Sequence, residues 1–159
     1  MSKQINVEFV CLGNICRSPM AEAVFRHMVR ERGFSDKIAI DSSGTGDWHI
    51  GRPPHEGTRR ILDTNRISYE GMVARQFTGQ DFDRFDYIVC MDSTNLRDVL
   101  AIPGSDKHAN VIRFMDLLPD EKEENVPDPY YTGNFEEVYR LVQAGCTALL
   151  DRIEREELQ

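Results

Sequence analysis

The chain has no run approaching the roughly 18 consecutive apolar residues of a membrane span. Its first residues, Met1 to Glu8, lack the apolar core of a signal peptide. No two cysteines stand at the Cys-x-x-Cys spacing of a common zinc site, and the four present, Cys11, Cys16, Cys90 and Cys146, are too few for a disulfide scaffold. Positive charge is scarce as well: 27 acidic residues outnumber 19 basic ones, giving a net charge of −8 that repels nucleic acid at long range. Gly and Pro, 11 and 7 in number, are too few for a collagen-like or low-complexity chain. These absences lead us to expect a cytoplasmic protein with reduced thiols, no membrane insertion, no nucleic-acid partner, no structural metal and no cofactor. His27, His49, His55 and His108 are scattered singly and read as solvated surface positions.

What is present is a chain of 159 residues, 40% hydrophobic, long enough for one well-buried core and hence one domain over residues 1–159. Ile5 to Cys11 reads as a short apolar strand. After a Gly-Asn break, Pro19 is expected to open a helix with an apolar stripe of Ala21, Val24, Phe25 and Met28. A second strand, about Ile38 to Ser42, runs into the polar stretch Ser43 to Asp47, and a helix follows near His55 to Asn65. Tyr87 to Met91 is a third strand, Ser93 the expected N-cap of a helix through Leu100, and Val111 to Phe114 a fourth strand. A polar loop from Pro119 to Asn134 precedes a long amphipathic helix carrying Phe135, Val138, Tyr139, Val142, Cys146, Leu149, Leu150 and Ile153. Strands alternating with helices predict an α/β, doubly wound domain with a central four-stranded parallel sheet and helices on both faces. In such folds ligands sit beyond the carboxyl ends of the strands, which directs attention to residues 11–18.

There Cys11-Leu12-Gly13-Asn14-Ile15-Cys16-Arg17-Ser18-Pro19 sets a thiol six positions before an arginine. The spacing alone is weak, since four cysteines and 15 arginines in 159 residues produce about 0.4 such pairs by chance. Cys146 and Arg152 share it inside a helix, where six residues turn the two roughly 120° apart. The context of the first pair is different. Gly13 and Asn14 both tolerate left-handed backbone angles, so the loop can curl its N–H groups inward as an anion nest closed by a helix start. Arg17 can add a planar two-point contact to a tetrahedral oxyanion, and the same positive field favours a thiolate at Cys11. Ser18 can donate its hydroxyl to that thiolate. A thiolate attacking phosphorus needs a proton for the leaving oxygen, and Asp128-Pro129-Tyr130-Tyr131 offers an acid beside two aromatics that could wall an aryl ring.

With both segments placed, the sequence resembles the low-molecular-weight protein tyrosine phosphatases. The likeness extends through Ile40-Asp41-Ser42, Asp47-Trp48, Ala74-Arg75-Gln76, Phe85-Asp86-Tyr87-Ile88 and Met91-Asp92. The resemblance implies hydrolysis of phosphotyrosine and small aryl phosphates through a phosphocysteine. Cys11 would be the nucleophile, Arg17 the phosphate clamp, Asp128 the general acid and then base, and Ser18 the thiolate partner. It also implies that Leu12, Gly13, Asn14, Ile15 and Cys16 form the phosphate-binding loop, that Ser42 helps Asn14 hold its left-handed turn, and that Trp48, His49, Tyr130 and Tyr131 line the substrate entrance. Implied partners are phosphotyrosine proteins, a cognate tyrosine kinase among them, for a monomer with weak self-association. One departure is Met72, where the family often has a histidine supporting the loop; Met cannot supply that hydrogen bond, so the support must differ.

Three rival readings share the fold or the loop. Arsenate reductases of this fold need a further pair of cysteines near the third strand, whereas here Cys90 is followed by none until Cys146; Cys90 reads as strand core. Protein arginine phosphatases typically have Thr where this chain has Ile15, and lack the double tyrosine. A non-hydrolytic phosphocysteine carrier would need neither Asp128 nor the Trp48 wall. Cys16 itself has two readings, a small filler in a tight turn or, as in family members with this adjacent pair, a thiol that forms a disulfide with the nucleophile and shields it from overoxidation. The second predicts that Cys16→Ser fails to regain activity with dithiothreitol after peroxide; full recovery contradicts it.

Overall fold

The structure is a computed structural model that describes residues 4–106 and 110–158; His108 lies outside the described residues. Four strands, β1 (Ile5–Cys11), β2 (Ile38–Gly44), β3 (Tyr87–Cys90) and β4 (Asn110–Arg113), form one sheet in the order β2-β1-β3-β4, all neighbours parallel. The helices are α1 (Arg17–Glu31), α2 (Glu56–Thr64), a single turn α3 (Asp81–Arg84), α4 (Ser93–Leu100), a second short turn α5 (Pro129–Thr132) and the long α6 (Phe135–Glu157). This is the α/β single domain expected from the alternation.

Strand pleating explains the two-layered core, because successive side chains point to opposite faces. Val7, Phe9, Tyr87 and Val89 face α1 and α6 and pack with Phe25, Val142, Leu149 and Ile153. Val10, Ile88 and Cys90 face the other way, onto Phe77, Phe82, Phe85 and Val99. Cys90 and Cys146 are both buried core thiols, and Cys146 sits among the α6 residues that meet α1. The chain runs from β1 outward to β2, then returns across β1 to β3, so the strand order reverses between β1 and β3. A ligand crevice is expected at that reversal, beyond the carboxyl end of β1.

Boundaries moved where side chains outside the periodic pattern took over. The first helix starts at Arg17, not Pro19, because the curl of the preceding loop already continues into helical geometry; Pro19 occupies the third helical position, where a missing N–H costs no bond. Asp92, rather than Ser93, caps α4, its carboxylate accepting Asn95 N–H at 2.7 Å. The second strand extends through Gly44, where Phe77 N–H and Arg75 O continue its pairing. The fourth strand stops at Arg113, since Phe114 turns inward to open a 3₁₀ turn. The segment from Pro119 to Asn134 is not wholly loop: Asp128 caps the turn α5, with Pro129 in its first position. Leu141 joins the buried face of α6.

One polar cluster interrupts the second core layer. Glu8 on β1 is fully buried and pairs with Arg75 Nη2 at 2.5 Å, while the same guanidinium reaches Asp41 at 3.0 Å and Asp81 at 3.1 Å. Burial, reinforced by the charge of Asp81, pushes the Glu8 carboxyl up to about 9 against the pull of Arg75. An acid raised in the folded state binds its proton more tightly there than in the unfolded chain. The stability it contributes is therefore full below its ordinary value of 4.5 and is lost as pH climbs towards 9. Glu8→Gln should flatten the fall of Tm between those pH values, measured by calorimetry; a profile as steep as that of the unaltered protein contradicts this account.

Candidate active site

Cys11 is the last residue of β1 and Arg17 the first of α1, so the five residues between them must reverse the chain within one loop. Asn14 makes this possible with φ at 57°, a left-handed conformation that Asn adopts more readily than most residues. The scaffold pulls the loop's carbonyls outward. Cys11 O accepts Thr45 N–H at 3.0 Å, Leu12 O accepts Gly46 N–H at 2.8 Å, Ile15 O accepts His55 N–H at 2.7 Å, and Cys16 O accepts the Thr58 hydroxyl at 3.1 Å. In a trans peptide the N–H of the next residue points opposite to each carbonyl. The N–H groups of Leu12, Gly13, Cys16 and Arg17 are thereby aimed into the loop's concave side. Gly44 lets this happen, because a Cβ there would lie 2.8 Å from Leu12 O and 3.0 Å from Asn14 N.

The sulfur of Cys11 stands at the base of this nest, with Asn14 N–H donating to it at 3.3 Å and the Ser18 hydroxyl oxygen 3.0 Å away. Asn14 fixes Ser18 in turn: its Nδ2 donates to Ser18 Oγ at 2.8 Å and Ser42 Oγ at 2.9 Å, and its Oδ1 accepts Arg75 N–H at 3.0 Å. With its oxygen accepting from Asn14 Nδ2, Ser18 can direct its own proton at the sulfur or at Ser43 O, 3.3 Å away. Ser42 passes the load to Glu22, donating to its Oε1 at 2.6 Å, and Glu22 pairs with Arg26. Burial raises the Glu22 carboxyl, partly offset by Ser42 and Arg26. Met72 packs into the apolar core, so Glu22 supplies the polar end of the support. Glu22 escaped the sequence reading; its signal was a carboxylate between Ala21 and Ala23, inside a helix turn that is otherwise buried.

Arg17 is 2% exposed and its guanidinium is divided between two tasks. Nη1 donates to Asp92 Oδ2 at 2.6 Å and Val126 O at 3.0 Å, anchoring the group to the loops after β3 and before α5. Nη2 approaches Asp128 Oδ2 at 3.4 Å, and the buried Nε has no partner among the described residues. Burial alone would lower the Arg17 pKa, but the charges of Cys11, Asp92 and Asp128 hold it above its usual value. Asp128 is kept in place by Tyr130 N–H, which donates to its Oδ1 at 3.1 Å. Cys16 is buried beside Cys11, and burial followed by that neighbouring charge pushes its thiol up to about 12. In contrast, Arg152 points away from Cys146 and pairs with Glu156.

A cleft of about 330 Å³ opens above Cys11 and Arg17. Asp128 lies on one side and Trp48, His49, Tyr130 and Tyr131 on its walls. The outermost are Trp48 and Tyr131, 65% and 76% exposed. His49 lies against Gly13 and Tyr130, and His55 stacks on Phe135, so neither is the freely solvated histidine expected from their scattered spacing. Most of the sequence-predicted residues line this crevice, whereas Asn14, Ser18 and Ser42 form a buried network behind Cys11, and Asp92, Val126 and Glu22 join as supports.

Loop N–H groups, a buried arginine and a thiol at the end of the first strand of a parallel sheet make an arrangement able to hold a tetrahedral oxyanion beside a sulfur nucleophile. The family model described as low molecular weight phosphotyrosine protein phosphatase matches residues 6–159, and the chain belongs to that family of cysteine-dependent phosphatases. It is 52% identical over 153 residues to the low molecular weight protein-tyrosine-phosphatase YfkJ of Bacillus subtilis, covering 96% of this chain and 98% of that one. The crystal structure of YfkJ superposes with a TM-score of 0.95 over 98% of both chains. The low molecular weight protein tyrosine phosphatase of Streptococcus pyogenes is 42% identical with a TM-score of 0.84, over 98% of this chain and 97% of that one. A Drosophila arginine phosphatase is 29% identical with a TM-score of 0.85, over 94% of this chain and 98% of that one. No helix among the described residues is long and apolar enough to cross a membrane.

Asn14→Gly keeps the left-handed backbone and removes the three side-chain bonds, whereas Asn14→Ala loses both. Both should weaken inorganic phosphate binding, followed through the fluorescence of the lone Trp48. Asn14→Ala should cost roughly 1–2 kcal/mol more in urea unfolding than Asn14→Gly. Equal costs, or unchanged phosphate binding, would contradict this role.

Proposed function

We propose that the protein hydrolyses phosphotyrosine in proteins, and small aryl phosphates, in two steps through a phosphocysteine. The observation that carries this reading is the meeting of Cys11, Ser18, Arg17 and Asp128 at one aromatic-walled cleft. The phosphate oxygens would sit against the inward N–H groups and the Nε and Nη2 edge of Arg17, a two-point contact matched to two oxygens. Asp92 and Val126 leave that edge available by holding Nη1.

In the first step the Cys11 thiolate attacks phosphorus in line, the P–O bond to the phenol breaks, and Asp128 gives its proton to the departing oxygen. In the second step Asp128 takes a proton from water, which attacks the phosphocysteine and releases phosphate. Ser18 eases the departure of the thiolate by donating a hydrogen bond from its hydroxyl to the sulfur. The negative charge of the phosphoryl group is met by Arg17 and backbone N–H groups throughout, so the scheme invokes no metal. The buried base and exposed aromatic rim suit an aryl ring extending from a deep phosphate. That geometry, with Ile15 in the loop, favours phosphotyrosine over phosphoarginine. The substrates are accordingly phosphotyrosine proteins, a cognate kinase among them, met in the cytoplasm by a monomeric enzyme with weak self-association.

Cys11→Ser should abolish turnover yet still bind phosphate or vanadate, and Asp128→Ala should lower kcat by about 10²–10⁴, the usual worth of general acid catalysis. EDTA should leave the rate unchanged. Phosphotyrosine, phosphoarginine and phosphoserine peptides assayed side by side, with arsenate reduction as a control, should give turnover chiefly of phosphotyrosine. Preferred turnover of phosphoarginine, or wild-type-like rates for Cys11→Ser, would overturn the assignment.

A further inference from the structure

One histidine, His55, touches both halves of this machinery, the loop through its backbone and the segment after Asp128 through its ring. His55 N–H donates to Ile15 O at 2.7 Å, so its backbone holds the phosphate loop. Its Nδ1 accepts Gly57 N–H at 3.0 Å and caps α2, whose Thr58 hydroxyl holds Cys16 O. Accepting at Nδ1 places the ring's own proton on Nε2. The ring lies nearly parallel to Phe135, the first residue of α6, with centroids 5.2 Å apart and planes 20° apart. It also meets Tyr130 edge-on at 6.0 Å and 75°. Phe135 also lies close over Gly57, where a Cβ would stand 2.4 Å from its ring, and packs in turn against the Ile15 and Cys16 cluster. Tyr130 and Phe135 bracket the segment that follows Asp128, and Tyr130 N–H holds the Asp128 carboxylate. His55 itself does not line the cleft.

We infer that His55 is a positioning residue for the proton transfer: its ring sets the Asp128 segment against the phosphate loop by gripping Tyr130 and Phe135, while its backbone fixes the loop. The inference rests on Asp128 being the general acid. Acid catalysis needs hydrogen-bond reach to the leaving oxygen, so a shift of the segment by a fraction of an ångström is felt in the rate. A poor leaving group depends on that proton more than a good one. His55 therefore matters most for substrates whose phenol leaves reluctantly.

Two substitutions separate the ring from the cap. His55→Asn keeps a side-chain acceptor for the Gly57 N–H and removes the aromatic contacts; His55→Phe keeps a ring and removes the acceptor. The measurement is kcat/KM, which reports the step that expels the phenol, for phenyl phosphate and for p-nitrophenyl phosphate, the latter with the better leaving group. His55→Asn should lower kcat/KM roughly tenfold for phenyl phosphate and less than about twofold for p-nitrophenyl phosphate, a fraction of what general acid catalysis supplies. His55→Phe should recover most of the phenyl phosphate rate while lowering Tm. In an Asp128→Ala background, His55→Asn should cause no further loss, because there is no acid left to position. Equal losses on both substrates, no loss, or full additivity with Asp128→Ala would overturn the role of His55 while leaving an impaired Asp128→Ala variant as support for the acid. An Asp128→Ala enzyme with wild-type kcat/KM on phenyl phosphate would remove the acid assignment, and the positioning role with it.

Discussion

The side-chain amide of Asn14 is the joint on which the site depends. Three groups meet there, the hydroxyls of Ser18 and Ser42 and the backbone of Arg75, while the backbone N–H of the same left-handed residue donates to the sulfur of Cys11. Each bond is ordinary in strength, about 1 kcal/mol net. Their value is geometric, because a buried network with every member engaged admits one arrangement of the loop. The network reaches well beyond the loop. Through Ser42 it ends on Glu22 and Arg26 of α1, and through Arg75 it ends on the carboxylates of β1, β2 and α3. The sheet edge and the first helix thus hold the phosphate loop from both sides.

A net charge of −8 poses an electrostatic problem for a protein that handles phosphate esters. The structure answers it locally. Carbonyls of the loop are bonded to the surrounding scaffold, which turns the opposing N–H groups the other way, and a buried guanidinium stands beside them, its orientation held by Asp92 and the carbonyl of Val126. The carboxylates around Arg17 cancel part of its charge but keep its Nε edge in place. Recognition here is a matter of direction over a few ångströms, where the acidic surface is screened within about 10 Å at ordinary salt.

The residues gathered at the cleft were easier to read from the sequence than those that support them. The sequence singled out Cys11, Arg17, Ser18 and Asp128 by the narrow chemical use of each residue type and by the strand-loop-helix pattern, and the structure brings the four into proximity. The parallel sheet followed from alternation alone. Harder to read were groups whose role is set by contacts distant in the chain. Glu22 looks like any surface acid until Ser42, 20 residues on, meets it. His55 looked like a lone solvated imidazole, since nothing near it in sequence announces Phe135, 80 residues later. Strand and helix ends shifted for the same reason: Asp92 capped α4 because its carboxylate also had Arg17 to hold, and Phe114 left β4 for the core.

In the proposed reaction the phosphoryl group passes through the sulfur at the end of β1. Rapid acid quench during turnover of an aryl phosphate, followed by mass spectrometry of the peptide fragments, tests it most directly. The expected result is a phosphoryl group on the fragment containing Cys11, on the sulfur of Cys11 and not on Cys16, forming as fast as the phenol is released. Release of phenol and phosphate together with no such adduct, or an adduct on another residue, would contradict it.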